Sequence, residues 1–446
     1  MQHLVATSTE DLEVSKFRAP PMSATATPAQ VLQDVRFEER LADVETRLPA
    51  TLALAKEGSL AKRNQIRRKL YHDSELIRIE LEERMNELGI ESQWLTAPEM
   101  KEANAKLDAV RKQLKLDVLP ASSSPLEKIY MVVRMLTMAL VLVGWLSCVT
   151  VLIPLKWLNP LLTQLGVKKN YLPMDIVSWG TAAMVCVTAC TDMKVEGVEN
   201  LTDLKDSVVC MFSHSSNLDG FIVNGSSPVA FKFAAKKSIF LVPFLGWTSR
   251  WAFDFVAIDR SNRKSALKSL KELAVSVNER GNSVCISPEG TRSKDGLLQE
   301  FKKGPFYLRE DTKKNVVPSI VFGAYELWPP GRLFSIPGHT LVRYLPEYKT
   351  DPNLNRNQNR LALRRIYLKA FTEDVPDYIG TRVSTNFILK NMFYHYLSWS
   401  ITFKVTSWAF TVISSVCYWL GITYGTFMLF SLVMIIAGEA LMFFTC

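Results

Sequence analysis

The chain has 446 residues, 48% of them apolar and 22% charged, with 20 glycines and 21 prolines in no regular period. That composition excludes a disordered chain, a collagen-like fibre and a solenoid of repeats. Lys and Arg outnumber Asp and Glu by 53 to 44, a net charge of +9 that favours anionic partners: lipid headgroups, phosphorylated metabolites or nucleic acid.

Residues 1 to about 34 are rich in Ser, Thr, Ala and Pro and read as disordered. Glu10, Asp11 and Glu13 stand where an export signal would carry an apolar core, so no cleaved signal is expected. From Val35 to Leu116 the chain is charged and helical, with interruptions expected at Pro49, Gly89 and Pro98. Its mixed-sign faces predict a solvated helical extension or a hairpin that binds a protein partner. Residues 118–125 form a linker, so 1–125 is one unit that ends where the membrane segment begins.

Met135 to Leu155 is a run of 21 residues without a charge, about 30 Å as a helix, bracketed by Arg134 and Lys156. Its length matches the hydrocarbon core of a bilayer and predicts a spanning helix. Ile176 to Thr191 is a shorter uncharged run of 16 residues that could cross, re-enter or lie in the interface. These two runs define a membrane segment over 126–191. At the C-terminus Val405 to Gly438 is again uncharged and too long for one crossing, with a break expected between Gly421 and Gly425. A helical transmembrane hairpin is therefore expected over 386–446, with Glu439 tolerated near a helix end. Basic residues flank both ends of the first run, so charge bias leaves its orientation open.

Between Val195 and Asp377 short β-branched or aromatic stretches alternate with helical patterns. Ser207–Phe212, Phe253–Ile258, Ser283–Ile286 and Val316–Phe322 read as buried strands, and Arg263–Asn278 as an amphipathic helix. The expected class is an α/β domain over 192–385, a mixed sheet flanked by helices, with transmembrane helices on both sides. The seven cysteines include no Cys-x-x-Cys pair, so neither a disulfide framework nor a zinc site is expected.

Three of these strands end in polar clusters, where chemistry gathers in such folds. The first, Ser213 to Gly220, holds His214 and, five residues on, Asp219. Five residues rotate a helix by about 140° beyond a full turn, so the two side chains cannot share one helical face. With His214 in the loop and Asp219 on the first turn of the next helix, the carboxylate can accept from Nδ1 and leave Nε2 basic. The third cluster, Ser287-Pro-Glu-Gly-Thr-Arg-Ser293, offers Gly290 for close backbone approach and Arg292 as a planar fork for phosphate, with Lys302 and Lys303 adding positive charge. After the second strand, Arg260 could meet the same anion.

His214 to Asp219 resembles the His-x-x-x-x-Asp motif of the glycerolipid acyltransferase superfamily, whose best-known members are the 1-acylglycerol-3-phosphate O-acyltransferases. Phe255–Arg260 resembles its second block, Pro288–Ser293 its Pro-Glu-Gly-Thr-Arg block and Val317-Pro318 its fourth, in the family's order. The resemblance covers about Val195 to Pro346. Ser213 stands where the family often has Asn, and Ser287 where it often has Phe. It implies that His214 is the general base for the acceptor hydroxyl and Asp219 its orienter. Arg260, Glu289, Gly290, Thr291, Arg292 and Lys303 would bind the glycerol phosphate.

The implied reaction is direct acyl transfer from acyl-CoA, a co-substrate, to lysophosphatidic acid, with no cofactor or metal, at the endoplasmic reticulum in a multi-pass chain. Another lysophospholipid or glycerol 3-phosphate is the alternative acceptor. A covalent serine route through Ser213, Ser215 or Ser216 lacks the Gly-x-Ser-x-Gly elbow. A membrane scaffold that retains the motif is the non-enzymatic alternative, and nothing resembles a nucleic-acid-binding motif.

Overall fold

The computed structural model describes residues 27–420 apart from 122, 123, 203 and 205, together with residue 433. Seven strands form one sheet: β1 (Thr191–Glu196), β2 (Val209–Phe212), β3 (Lys232–Lys236), β4 (Val256–Ile258), β5 (Val284–Ile286), β6 (Val316–Phe322) and β7 (Gly338–Tyr344). Their order is β1-β7-β6-β2-β5-β3-β4, and every neighbouring pair is parallel except β6 and β7. The expected mixed sheet is therefore present. Of the strands expected from sequence, β6 matches at both ends, and the other three begin one to three residues later than expected. β1, β3 and β7 were not anticipated. β1 is an edge strand with Asp192, Lys194 and Glu196 on it, and β3 is Phe-Ala-Ala between two lysines, so neither shows a β-branched run.

The helices are α1 (Pro28–Asp34), α2 (Phe37–Leu54), α3 (Leu60–Glu87), α4 (Pro98–Gln113), α5 (Pro125–Leu152), α6 (Asn159–Gln164), α7 (Pro173–Thr188), α8 (Asp219–Ser226), α9 (Arg263–Asn278), α10 (Gly304–Thr312), α11 (Arg356–Thr372) and α12 (Thr385–Trp419). α9 matches its expected bounds, because Asn262 caps it by accepting from the Lys264 and Ser265 N–H groups. Thr27 and Gln30 close a capping box on α1, inside the stretch expected to be disordered. Pro49 lies within α2 without ending it. Pro98 takes the first position of α4, where a missing N–H costs no hydrogen bond.

Side-chain alternation divides the sheet into two faces. Val209, Met211, Val284, Ile286, Val316 and Ile320 point into a core shared with α9, α11 and the N-terminal helices. Cys210, Phe212, Cys285, Val317 and Val321 point the other way, onto α7 and α8. The N-terminal helices are thus a layer of the α/β unit, which corrects the expectation of a solvated extension. Buried ion pairs fasten them to it: Arg68 to Glu326 at 3.0 Å, Glu75 to Arg364 at 2.5 Å, and Glu82 to Arg360. Arg364 is fully buried, so these charges are matched across the interface rather than solvated.

The apolar segments differ in kind. Among the described residues Pro125–Gln164 is the one stretch long and apolar enough to cross a bilayer. α5 buries Met131, Val141 and Val149 on one face and exposes Ile129, Val133, Leu136 and Leu140 on another. The second run forms α7, about 24 Å long and short of a crossing. It packs on α8, and its Asp175 carboxylate pairs with Lys232 in the interior. α12 runs unbroken for 35 residues and includes Lys390 and Lys404. The expected break at Gly421–Gly425, the returning arm of the hairpin and Glu439 lie outside the described residues, so transmembrane helices on both sides are not established.

Candidate active site

β2, β5, β3 and β4 are adjacent and parallel, so their C-terminal ends share one edge of the sheet. The loops after β2, β4 and β5 carry His214, Arg260 and Glu289–Arg292, and the fold brings them together there. α8 begins at Asp219, which puts that residue on the first turn of the helix and His214 in the loop before it. The Asp219 Oδ2 accepts from the Ser215 and Ser216 N–H groups at 2.6 Å each and lies 3.0 Å from His214 Nδ1. Asp219 is fully buried, whereas the His214 side chain keeps 22% exposure. A carboxylate fixed by two backbone donors can accept a third hydrogen bond, from Nδ1–H, which directs the Nε2 lone pair outward. The ring also meets Phe212 edge-on, with centroids 5.4 Å apart.

The loop after β5 is stitched to the histidine loop. Ser293 N–H donates to the His214 carbonyl at 2.7 Å, and His214 N–H donates to Glu289 Oε1 at 2.8 Å. The other Glu289 oxygen accepts from Gln299 N–H at 3.0 Å. Glu289 is buried, so it brackets two backbone segments instead of facing a ligand. Burial pushes its pKa up to about 8 against the pull of these two N–H donors. Gly290 adopts φ +73°, the left-handed conformation that lets the loop reverse beneath Lys302. Thr291 Oγ1 lies 3.4 Å from Gln299 Oε1.

Arg292 donates to the side-chain oxygen of Asn217, on the histidine's own loop. Arg260 retains an exposed side chain, and its pKa is lowered by desolvation and then by the like charge of Arg292. Among the described residues neither guanidinium has a carboxylate partner, and the two lie close enough for their like charges to interact. Lys303 precedes α10 at an exposed position, further along the chain from this pair.

The neighbouring serines serve the scaffold. Ser213 Oγ accepts from Val321 N–H at 3.0 Å, and Ser216 Oγ donates to the Trp328 carbonyl at 2.8 Å. Ser213, Ser215 and Ser216 are all buried.

Sequence reasoning missed Asn217 and Gln299, which sit in the motif loops, and Arg111 of α4, which has no local signal. Arg111 reaches across from the N-terminal layer to Asp295, with contacts of 2.7 and 3.0 Å, and to the Leu298 carbonyl at 2.9 Å. It thereby holds the far end of the loop that carries Glu289 and Arg292.

Known proteins share the segment that carries this site. A 1-acyl-sn-glycerol-3-phosphate acyltransferase from Limnanthes douglasii is 35% identical over 36% of this chain and 55% of its own length. One from Limnanthes alba is 29% identical over 54% of this chain and 83% of its own. One from Saccharomyces cerevisiae is 34% identical over 37% and 54%. The chain thus spans about half the length of the first and third of these relatives. The crystal structure of the 1-acyl-sn-glycerophosphate (LPA) acyltransferase PlsC from Thermotoga maritima aligns with 53% of this chain and 96% of that chain, at 21% identity and a TM-score of 0.40. Residues 192–321 match the family model described as Acyltransferase. With that match and the sequence relatives, the resemblance carried by the motifs stands: residues 192–321 are similar to the acyltransferase family.

Proposed function

We propose that the protein transfers a fatty acyl group from acyl-CoA to the free hydroxyl of lysophosphatidic acid, giving phosphatidic acid. The observation that carries this reading is the His214–Asp219 pair, with Nε2 left basic, in a loop joined to Arg292. His214 Nε2 takes the hydroxyl proton as the oxygen attacks the thioester carbonyl. The new C–O bond forms, the C–S bond breaks, and the proton passes to the departing thiolate. Arg292 and Arg260 hold the acceptor's phosphate, and Glu289 keeps the two loops in register. The names of the relatives support the phosphorylated acceptor. The burial of all three neighbouring serines favours direct transfer over an acyl-serine intermediate.

In this reading the exposed apolar side chains of α5 hold the protein in a membrane, with multiple crossings and the endoplasmic reticulum, the family's usual address, as the proposed setting. The test is His214→Ala in purified protein with acyl-CoA and a panel of lysophospholipids and glycerol 3-phosphate. A loss of about 100-fold to 10,000-fold in kcat is expected for removal of a general base. Near-normal turnover by a folded variant overturns the assignment.

A further inference from the structure

The N-terminal edge of the same strands holds a second cluster of charge. A cavity of about 240 Å³ opens there. Its inner wall includes Lys232, the first residue of β3, and Asn282 and Asp254, each two residues before β5 and β4. The strands are three to five residues long, so this cavity stands about 10–17 Å from the edge that carries His214. Its outer wall includes Lys156, Asn159 and Thr163, from the end of the apolar stretch that begins with α5.

The charges in the cavity do not cancel. Lys156, Lys169, Lys232 and Arg280 face two carboxylates, Asp175 and Asp254. Lys156 lies 2.6 Å from Asp254, and Lys232 pairs with Asp175. Lys169 and Arg280 are exposed and have no carboxylate partner among the described residues, so the site carries two net positive charges. Lys169 reaches the turn that follows Arg280: a Cβ on Gly281 would lie 3.1 Å from Lys169 Nζ. Two features mark the cavity as built for a ligand. Lys232 is 4% exposed, yet among the described residues its ammonium has one hydrogen-bond acceptor for its three donors. Asn159 Oδ1 is buried with no partner.

We propose that this cavity is a second anion site, separate from the acyl-transfer site, that binds the phosphate of a phospholipid headgroup. Lys169, Arg280 and the spare donors of Lys232 take the phosphate oxygens. A lipid is the favoured source because Trp157, Leu161 and Leu165, interleaved with the outer wall, are exposed apolar side chains suited to a bilayer surface. The inference does not depend on the acyl-transfer reading.

The test uses the full chain in detergent micelles with both Arg260→Ala and Arg292→Ala introduced, so that phosphate binding at the His214 edge is suppressed. The probes are dioctanoyl phosphatidic acid, dioctanoyl phosphatidylcholine and sn-glycerol 3-phosphate, followed by isothermal titration calorimetry. Saturable binding of phosphatidic acid is expected, weakened at least tenfold when Lys169→Glu and Arg280→Glu are added, with an unchanged thermal midpoint. Binding confined to phosphatidic acid supports the lipid source. Equal binding of glycerol 3-phosphate supports the anion site and replaces the lipid by a soluble phosphate ester. Binding that ignores the two charge reversals, or no binding by any probe, overturns the proposal. Loss of acyl transfer with this binding intact would concern the active site alone.

Discussion

Arg111→Ala tests whether the N-terminal layer governs the active site. The Arg111 guanidinium is 16% exposed and grips both oxygens of Asp295, which is 23% exposed. It also donates to the Leu298 carbonyl at 2.9 Å and lies over the Tyr71 ring, 5.4 Å from its centroid. Burial pushes the Asp295 carboxyl up, but the Arg111 hydrogen bond and charge outweigh it and hold the pKa below the ordinary value. Hydrogen bonds to charged groups contribute about 1.5–3 kcal/mol each, and these contacts are partly screened by solvent. Their removal should loosen the loop by about 2–4 kcal/mol, while Ser293 Oγ and Leu297 N–H still hold Asp295 at 2.8 and 3.1 Å. That loop places Glu289 under the His214 backbone and Arg292 beside Asn217. A displacement of about 1 Å at such groups can lower turnover by about 100-fold.

The expected result is a fall of about 10-fold to 100-fold in kcat/KM for lysophosphatidic acid, with KM raised, in protein that remains folded. Steady-state kinetics with acyl-CoA, read beside a thermal melt, separates this from global unfolding. Asp295→Asn should reproduce most of the defect, and the double variant should be little worse than either single one, since both remove one contact. Wild-type kinetics from folded Arg111→Ala would refute the reasoning.

Glu289 predicts a pH dependence of stability. Its folded pKa of about 8 exceeds the ordinary 4.5, so between those values the folded state holds a proton that the unfolded chain releases. Stability contributed by this group therefore falls as pH rises through that window. Thermal midpoints from pH 5 to 8 should decline, less steeply in Glu289→Gln, and parallel curves would contradict the assignment. Glu326→Ala removes the acceptor of both Arg68 and Asn64, at 3.0 and 2.9 Å in the interior. An uncompensated buried guanidinium should cost about 3–5 kcal/mol, visible as a lowered melting temperature and proteolysis between α4 and α5, and an unchanged melt would refute it.

The features legible without the fold are those that short-range spacing encodes. The His214–Asp219 interval excludes one shared helical face and so puts His214 in a loop. The order of the motif blocks resembles that of an α/β acyltransferase domain, and the uncharged run that begins within α5 reports its own length against a bilayer. These are properties of neighbours along the chain. Tertiary structure decided the rest. A mixed-charge face such as that of α3 reads the same whether water or a partner neutralises it, and the partner of Glu82 is Arg360, 278 residues away. Glu289 reads as a ligand-binding group until its burial and its two backbone donors are seen. The charged strands β1 and β3 carry no β-branched run, and hydrogen bonds to β7, and to β4 and β5, place them in the sheet. Burial and pairing at a distance are set by the packing of the whole chain, so these roles became legible only when distant segments met.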